Sequence, residues 1–140
     1  MSEQRYTGSC LCGGVHYAIS GEPKRFYHCH CSRCRKATGT GHASNLMVAA
    51  DQVAWTQGEE LVGHYKVPGA ERFATWFCRQ CGSPLPRIVP ALGMVVIPAG
   101  SLDREPELRP QARIFWDSRT SWSCSAEEDL PVFAEYVTKE

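Results

Sequence analysis

Seven of the eight cysteines in this chain fall into three tight groups. Cys10 and Cys12 are one residue apart. Cys29, Cys31 and Cys34 form C-x-C-x-x-C, and Cys78 and Cys81 form C-x-x-C followed by Gly82, while Cys124 stands alone. Thiols this close along a chain seldom bridge each other, because a disulfide needs particular Cα and Cβ separations. Short turns carrying two thiols are instead the usual building block of tetrahedral metal sites. A closed structural zinc site takes four ligands, and a catalytic one takes three and keeps a position open. Seven thiols divide accordingly.

Cys10, Cys12, Cys78 and Cys81 would make a structural four-cysteine zinc site tying the N-terminal segment to the middle of the chain. In an extended segment residues i and i+2 share a face, so Cys10 and Cys12 are expected to reach one ion together. Gly82 is free to take the positive φ that a tight C-x-x-C-G turn needs. Cys29, Cys31 and Cys34 would hold a second zinc, its fourth position left to water, substrate or another side chain. Counting alone leaves two other arrangements open: a ligand exchanged between groups, or a second closed site completed by Cys124 or a histidine. The spacing matches no ferredoxin run, which favours zinc over an iron–sulfur cluster. An ion with an open position acts as a Lewis acid and deprotonates an incoming thiol, so the triplet is the expected seat of chemistry.

The elements that must position these thiols read mostly as β. Val15 to Ile19 alternates and ends at Ser20-Gly21, as a half-buried strand should. Further strands are expected at Arg25–His28, Asn45–Ala50, Leu61–Val67, Phe73–Phe77, Met94–Ile97 and Arg113–Trp116. Pro98, Pro106 and Pro110, with Gly100, mark residues 98–111 as a loop. Gly39 and Gly41 read as a turn after a short helical turn. One helix is expected near the C-terminus, from about Leu130 to Val137, with Ser125 and Glu128 as a capping box and Pro131 awkward in that register. The tryptophans Trp55, Trp76, Trp116 and Trp122 read first as core, and Trp116 and Trp122 also as candidate pocket walls. The expected fold is mainly β: one domain over residues 1–140, core about 6–122, of small antiparallel sheets with a short C-terminal helix.

Composition narrows the class. The chain has 140 residues, 43% of them hydrophobic and 21% charged, with a formal net charge of zero. That is ordinary for a globular protein and unlike a strongly basic nucleic-acid binder or a polybasic membrane-surface protein. Seven thiolates around two divalent ions would make the loaded protein mildly acidic. No apolar run approaches the roughly 20 residues that cross a bilayer. The N-terminal stretch shows no basic run followed by an apolar one, so no secretory signal is expected. A reducing, cytoplasmic setting follows, in which clustered cysteines serve metals or catalysis more often than disulfides.

Three segments carry a family resemblance. Gly8-Ser9-Cys10-Leu11-Cys12-Gly13-Gly14-Val15, then His28-Cys29-His30-Cys31-Ser32-Arg33-Cys34-Arg35-Lys36, then Phe77-Cys78-Arg79-Gln80-Cys81-Gly82-Ser83 stand in this order. Together they resemble the glutathione-dependent formaldehyde-activating (GFA) family, which includes centromere protein V-like members. The similarity runs from about Tyr6 to Trp122. It implies a β-tent fold, a structural zinc on Cys10, Cys12, Cys78 and Cys81, and a catalytic zinc on Cys29, Cys31 and Cys34. It also implies carbon–sulfur lyase chemistry, in which glutathione adds to formaldehyde to give S-hydroxymethylglutathione. The late segment departs from the family pattern, because Arg113 stands where many members carry a histidine.

The expected function is therefore a zinc-dependent carbon–sulfur lyase joining a glutathione-like thiol to formaldehyde or a related small aldehyde. His28, His30 and Asp117 are candidates for proton traffic. Arg33, Arg35, Lys36, Arg113 and Arg119 are candidates for substrate carboxylates, whose geometry suits guanidinium. Two other classes compete. One is a non-catalytic zinc-stabilised binding module using Arg33 to Lys36 as a contact patch. The other is a redox enzyme of the methionine sulfoxide reductase B type using Cys124, whose neighbours do not match that enzyme's nucleophile motif.

Overall fold

Strand alternation decides which side chains make the core and which face outward. In the computed structural model, which describes residues 4–123 and 130–137, ten strands form three sheets. Strands β1 (Tyr6–Ser9), β2 (His16–Ile19) and β5 (Val53–Gln57) form one. A second holds β3 (Arg25–Cys29), β4 (Ala43–Ala49), β8 (Arg87–Val89), β9 (Met94–Pro98) and β10 (Ala112–Ile114), in the order β10-β3-β4-β9-β8. The hairpin of β6 (Val62–Lys66) and β7 (Ala74–Cys78) is the third. Every pairing is antiparallel except β10 on β3, which is parallel.

The five-stranded sheet has two different faces. Phe26, Leu46 and Ile97 share one rung, and with Val48 and Val95 they bury against Tyr6, Tyr17 and Ile19 of the three-stranded sheet. The opposite face carries Tyr27 beside Asn45, and Met47, Val96 and Arg87 along one rung. This second face is half-buried, and it floors the cavities beside the cysteine triplet.

The mainly β fold of small, chiefly antiparallel sheets is the one expected, but its helix lies elsewhere. Residues 130–137 carry no helix, so the expected C-terminal helix is corrected. Pro131 removes a donor at the start of that stretch, and Leu130, Val132, Phe133, Tyr136 and Val137 stay exposed. A short helix with no face to bury is marginal in water. Ser125, Glu128 and Cys124 lie outside the described residues. Among the described residues the α-helix is instead α1 (Ser32–Thr38), inside the triplet motif and just before Gly39, where only a short helical turn was expected. It is capped at one end by Cys31, whose sulfur accepts from the Cys34 N–H at 3.3 Å. Gly39 closes the other end at φ 75°, donating to the Arg35 carbonyl at 2.7 Å.

Three strands escaped the sequence pattern. β1 holds a glycine, β5 alternates weakly, and β8 is three residues between prolines. The expected strand at 113–116 stops at Ile114 because Phe115 turns to positive φ.

Gly8 shows how closely the small sheet approaches its neighbour. A Cβ placed there would fall 2.3 Å from Cζ of Tyr17 and 2.7 Å from the Ser101 carbonyl oxygen. Tyr17 is fully buried and its hydroxyl meets that of Ser101 at 2.5 Å, so the ring has nowhere to go. Gly8→Ala is expected to cost about 1–3 kcal/mol of stability as overpacking. A urea midpoint unchanged from wild type would contradict this packing.

Candidate metal centres and the adjoining cavity

Two turns build the first group. Cys10 follows β1 and the chain then reverses. Cys10 N–H donates to the Val15 carbonyl and Gly13 N–H to the Cys10 carbonyl, each at 3.1 Å, with Gly13 at φ 77°. The segment is a turn, not the extended stretch expected from i, i+2 spacing. Reversal brings the two sulfurs to 3.6 Å. Cys78 ends β7, and Gly82 at φ 79° donates to its carbonyl at 2.7 Å. Cys12 and Cys78, 66 residues apart, thereby approach to 3.8 Å between sulfurs.

The sulfurs of Cys10, Cys12, Cys78 and Cys81 all lie within 4.8 Å of one another. A tetrahedral ion with metal–sulfur bonds of about 2.3 Å sets its ligand sulfurs about 3.8 Å apart. The donor set fits. N–H groups already point at three of these sulfurs: Val15 at Cys10, the Gln80 backbone at Cys78 and the Gln80 side chain at Cys12, each at 3.3 Å. Such outer contacts fix ligand orientation. Ser83 accepts from the Leu11 N–H at 3.1 Å, which turns its own hydroxyl proton toward Cys81 at 3.2 Å. This bond pulls the Cys81 thiol down to about 5, whereas Cys12, despite the Gly14 N–H that favours its thiolate, is pushed up to about 11 by desolvation and by the other three sulfurs.

The second group sits where β3 runs into α1. Cys29 is the last residue of the strand, Cys31 the helix cap and Cys34 in the first turn, and their sulfurs lie within 4.8 Å of one another. A hydrogen bond from Cys34 draws the Cys29 thiol down to about 6, and the same contact pushes Cys34 up. Three sulfurs this close cannot all ionise alone, and a dication among them removes that conflict. This set fits a metal too. Among the described residues it has three donors and no fourth.

Beside the triplet lies a cavity of about 620 Å³, floored by the outer face of the five-stranded sheet. Arg33, Arg72 and Arg87 line it, and no carboxylate does. Tyr27, Asn45 and Ser118 add polar groups, while Phe73 and Phe115 add aromatic walls. Phe115 is the one described non-glycine residue at positive φ, 55°, and backbone strain of this kind gathers at functional sites.

The other candidates separate clearly. Arg33 alone of the basic candidates lines this cavity. His28 lies on the face of β3 opposite Cys29 and His30 just beyond the strand's end; neither lines this cavity nor joins the cluster of donor atoms. The His28 ring stacks on His42 at 4.1 Å, and His30 is fully buried, edge-on to Trp116 at 5.0 Å. Burial, then the neighbouring rings and Arg113, lowers the pKa of His28. Arg113 and Arg119 lie over Trp116 at 5.4 and 4.3 Å, and Arg113 shares a separate cavity of about 460 Å³ with His28. Asp117 lines neither cavity. Trp116 walls only the separate cavity, and Trp122 is exposed. Sequence reasoning missed Arg72 and Arg87, because no local spacing ties either to the triplet.

The family described as glutathione-dependent formaldehyde-activating enzyme matches residues 5–118. A solved structure of a Rhodobacter sphaeroides protein superposes with a TM-score of 0.58 at 20% identity, covering 76% of this chain and 97% of that one. That likeness supports the fold alone. No curated protein matches the sequence.

Replacing the Ser83 hydroxyl tests the outer contacts. Ser83→Ala removes the bond that lowers Cys81, so its thiol rises and protons compete better for it. Metal held by the four sulfurs should then be about 10–100-fold weaker and leave at higher pH than in wild type. Chelator release followed across pH measures this, and coincident release curves would contradict it.

Proposed function

The chain belongs to the glutathione-dependent formaldehyde-activating enzyme family, and from that premise we propose a zinc-dependent carbon–sulfur lyase that adds a small anionic thiol to formaldehyde or a related aldehyde. In this reading residues 1–140 form one domain. Cys10, Cys12, Cys78 and Cys81 hold a structural zinc, and Cys29, Cys31 and Cys34 hold a second at the reaction site. One observation carries the reading: the group with only three donors is also the group that borders the large cationic cavity.

When bound there, zinc supplies Lewis acidity and favours the thiolate form of a substrate thiol near neutral pH. The rest falls to the chain. Arg33 and Arg72 offer planar, bidentate donors for the carboxylates of a glutathione-like thiol. A volume of about 620 Å³ falls within the range of ordinary small-molecule sites. Phe73 and Phe115 are the aromatic walls against which the thiol's stem would lie. The reaction forms one carbon–sulfur bond, and the thiol proton ends on the former carbonyl oxygen. The hydroxyls among the lining residues are those of Tyr27, Ser32 and Ser118, each able to donate to that oxygen and be reprotonated from solvent. Thiol addition to formaldehyde is already easy, so the gain must come from positioning and from thiolate.

Metal analysis and catalysis test separate parts of this proposal. Wild type should carry two zinc ions per chain. Cys31→Ser should lose one and keep its fold, while Cys78→Ser should lose solubility, because structural zinc contributes about 10–16 kcal/mol to such folds. A single zinc in fully loaded wild type would refute the arrangement. S-hydroxymethylglutathione formation, followed by exchange NMR, should exceed the spontaneous rate with wild type and return to it with Cys31→Ser. No acceleration with both zinc ions present would refute the lyase activity.

A further inference from the structure

Arg87 occupies an unusual place for an arginine. It lies on β8, an edge strand, opposite Val96 and on the rung that also carries Met47. Its side chain therefore stands on the site face of the sheet. It is half-buried, its guanidinium rests 5.0 Å from the Phe73 ring centroid, and it lines the triplet's cavity together with Cys29, Cys31 and Cys34. It also lines a second cavity, of about 280 Å³, again with Cys34.

No carboxylate compensates this charge. The ion pairs among the described residues join Arg5 to Glu22 and Glu107, and Arg109 to Glu105. Neither cavity that Arg87 lines contains an aspartate or glutamate. Burial opposes its charge, and the groups that favour the charge are Cys34, Cys29 and Cys31. A desolvated cation held without a partner is costly, so its presence needs a counter-charge. Three thiolates around a divalent ion leave one negative charge, which one guanidinium balances. The four-cysteine group differs: four thiolates leave two negative charges, with Cys12 exposed to water and N–H donors on three sulfurs.

We propose that Arg87 is the fixed counter-charge of the three-cysteine centre, a positioning residue that sets how tightly this centre holds its metal, leaving substrate carboxylates to Arg33 and Arg72. The inference rests on the reading that the triplet binds a divalent ion. Phe73 holds the guanidinium in place by cation–π contact, so the charge stays beside the sulfurs when the cavity is empty of substrate.

Zinc competition against a chromophoric chelator tests it on the full chain. Arg87→Gln should weaken the triplet's zinc about 10-fold or more and leave the four-cysteine group unchanged. Arg87→Lys should return affinity to within about 3-fold of wild type, because it keeps the charge and loses only the planar fork. Arg33→Gln should leave both zinc affinities as they are. In the cobalt-substituted protein the sulfur-to-metal charge-transfer band should shift in Arg87→Gln and return in Arg87→Lys. Wild-type affinity in Arg87→Gln would overturn the proposal. So would a 10-fold loss in Arg87→Lys, which alone decides the matter should Arg87→Gln not fold. Wild type carrying a single metal would instead remove the reading beneath it, a failure visible before any variant is made.

Discussion

Sulfur crowding governs this molecule. Four thiols from two turns 66 residues apart converge within 4.8 Å, and three more converge where a strand becomes a helix. Thiols so close share protons: Cys29 is drawn down toward 6 by the hydrogen bond from Cys34 while Cys34 is pushed up, whereas in the other group it is Ser83 that draws Cys81 down to about 5. Neither group can ionise completely without a cation at its centre. The first group closes the long loop that contains β2 to β6, and beneath it lie only a few apolar residues, Val15 and Leu85 among them. Coordination there would add to the hydrophobic packing that already joins the three- and five-stranded sheets.

The second dependence runs through β3. Its alternating side chains serve two functions at once. Phe26 enters the main core, while Tyr27 and Cys29 face the cavity. A one-residue slip would exchange these sets, so the rung of Phe26, Leu46 and Ile97 fixes the site by fixing the core. The parallel pairing of β10 adds Ile114 beside Cys29 and then delivers Phe115 to the rim. Core and site are thus two readings of one register.

Much of this was legible in the residues. Cysteine spacing separated a four-thiol group from a triplet, because short turns must bring near neighbours together whatever the rest of the chain does. The strands with clear alternation, such as β2, β4 and β9, were readable for the same local reason. What stayed hidden depends on distant contacts. Arg72 and Arg87 meet the triplet only through sheet order and a hairpin turn, neither of which leaves a mark in local spacing. The histidines flanking Cys29 looked like chemistry because they adjoin a thiol in sequence. Alternation sends His28 to the other face, where it stacks on His42, and His30 lies just beyond the strand's end. The Ser125–Glu128 capping box points to a helix at the C-terminus, whereas the described α-helix lies where Cys31 and Gly39 cap both ends of what reads in sequence as a short helical turn.

Ligand number, more than ligand type, separates the two centres. Both groups are made of thiols held by turns, yet one has four donors and the other three among the described residues. The four-donor group has no position left for a substrate, and no large cavity is needed there. The three-donor group faces a cavity whose charged lining is entirely cationic, walled by a phenylalanine held at φ 55°. A strained aromatic is kept only where its position outweighs its conformational cost. The same turn at Phe115 carries both Phe115 and Ser118 to the cavity wall. The strain at Phe115 and the set of three donors among the described residues thus meet at one place: a cationic cavity beside a metal centre with a position left open.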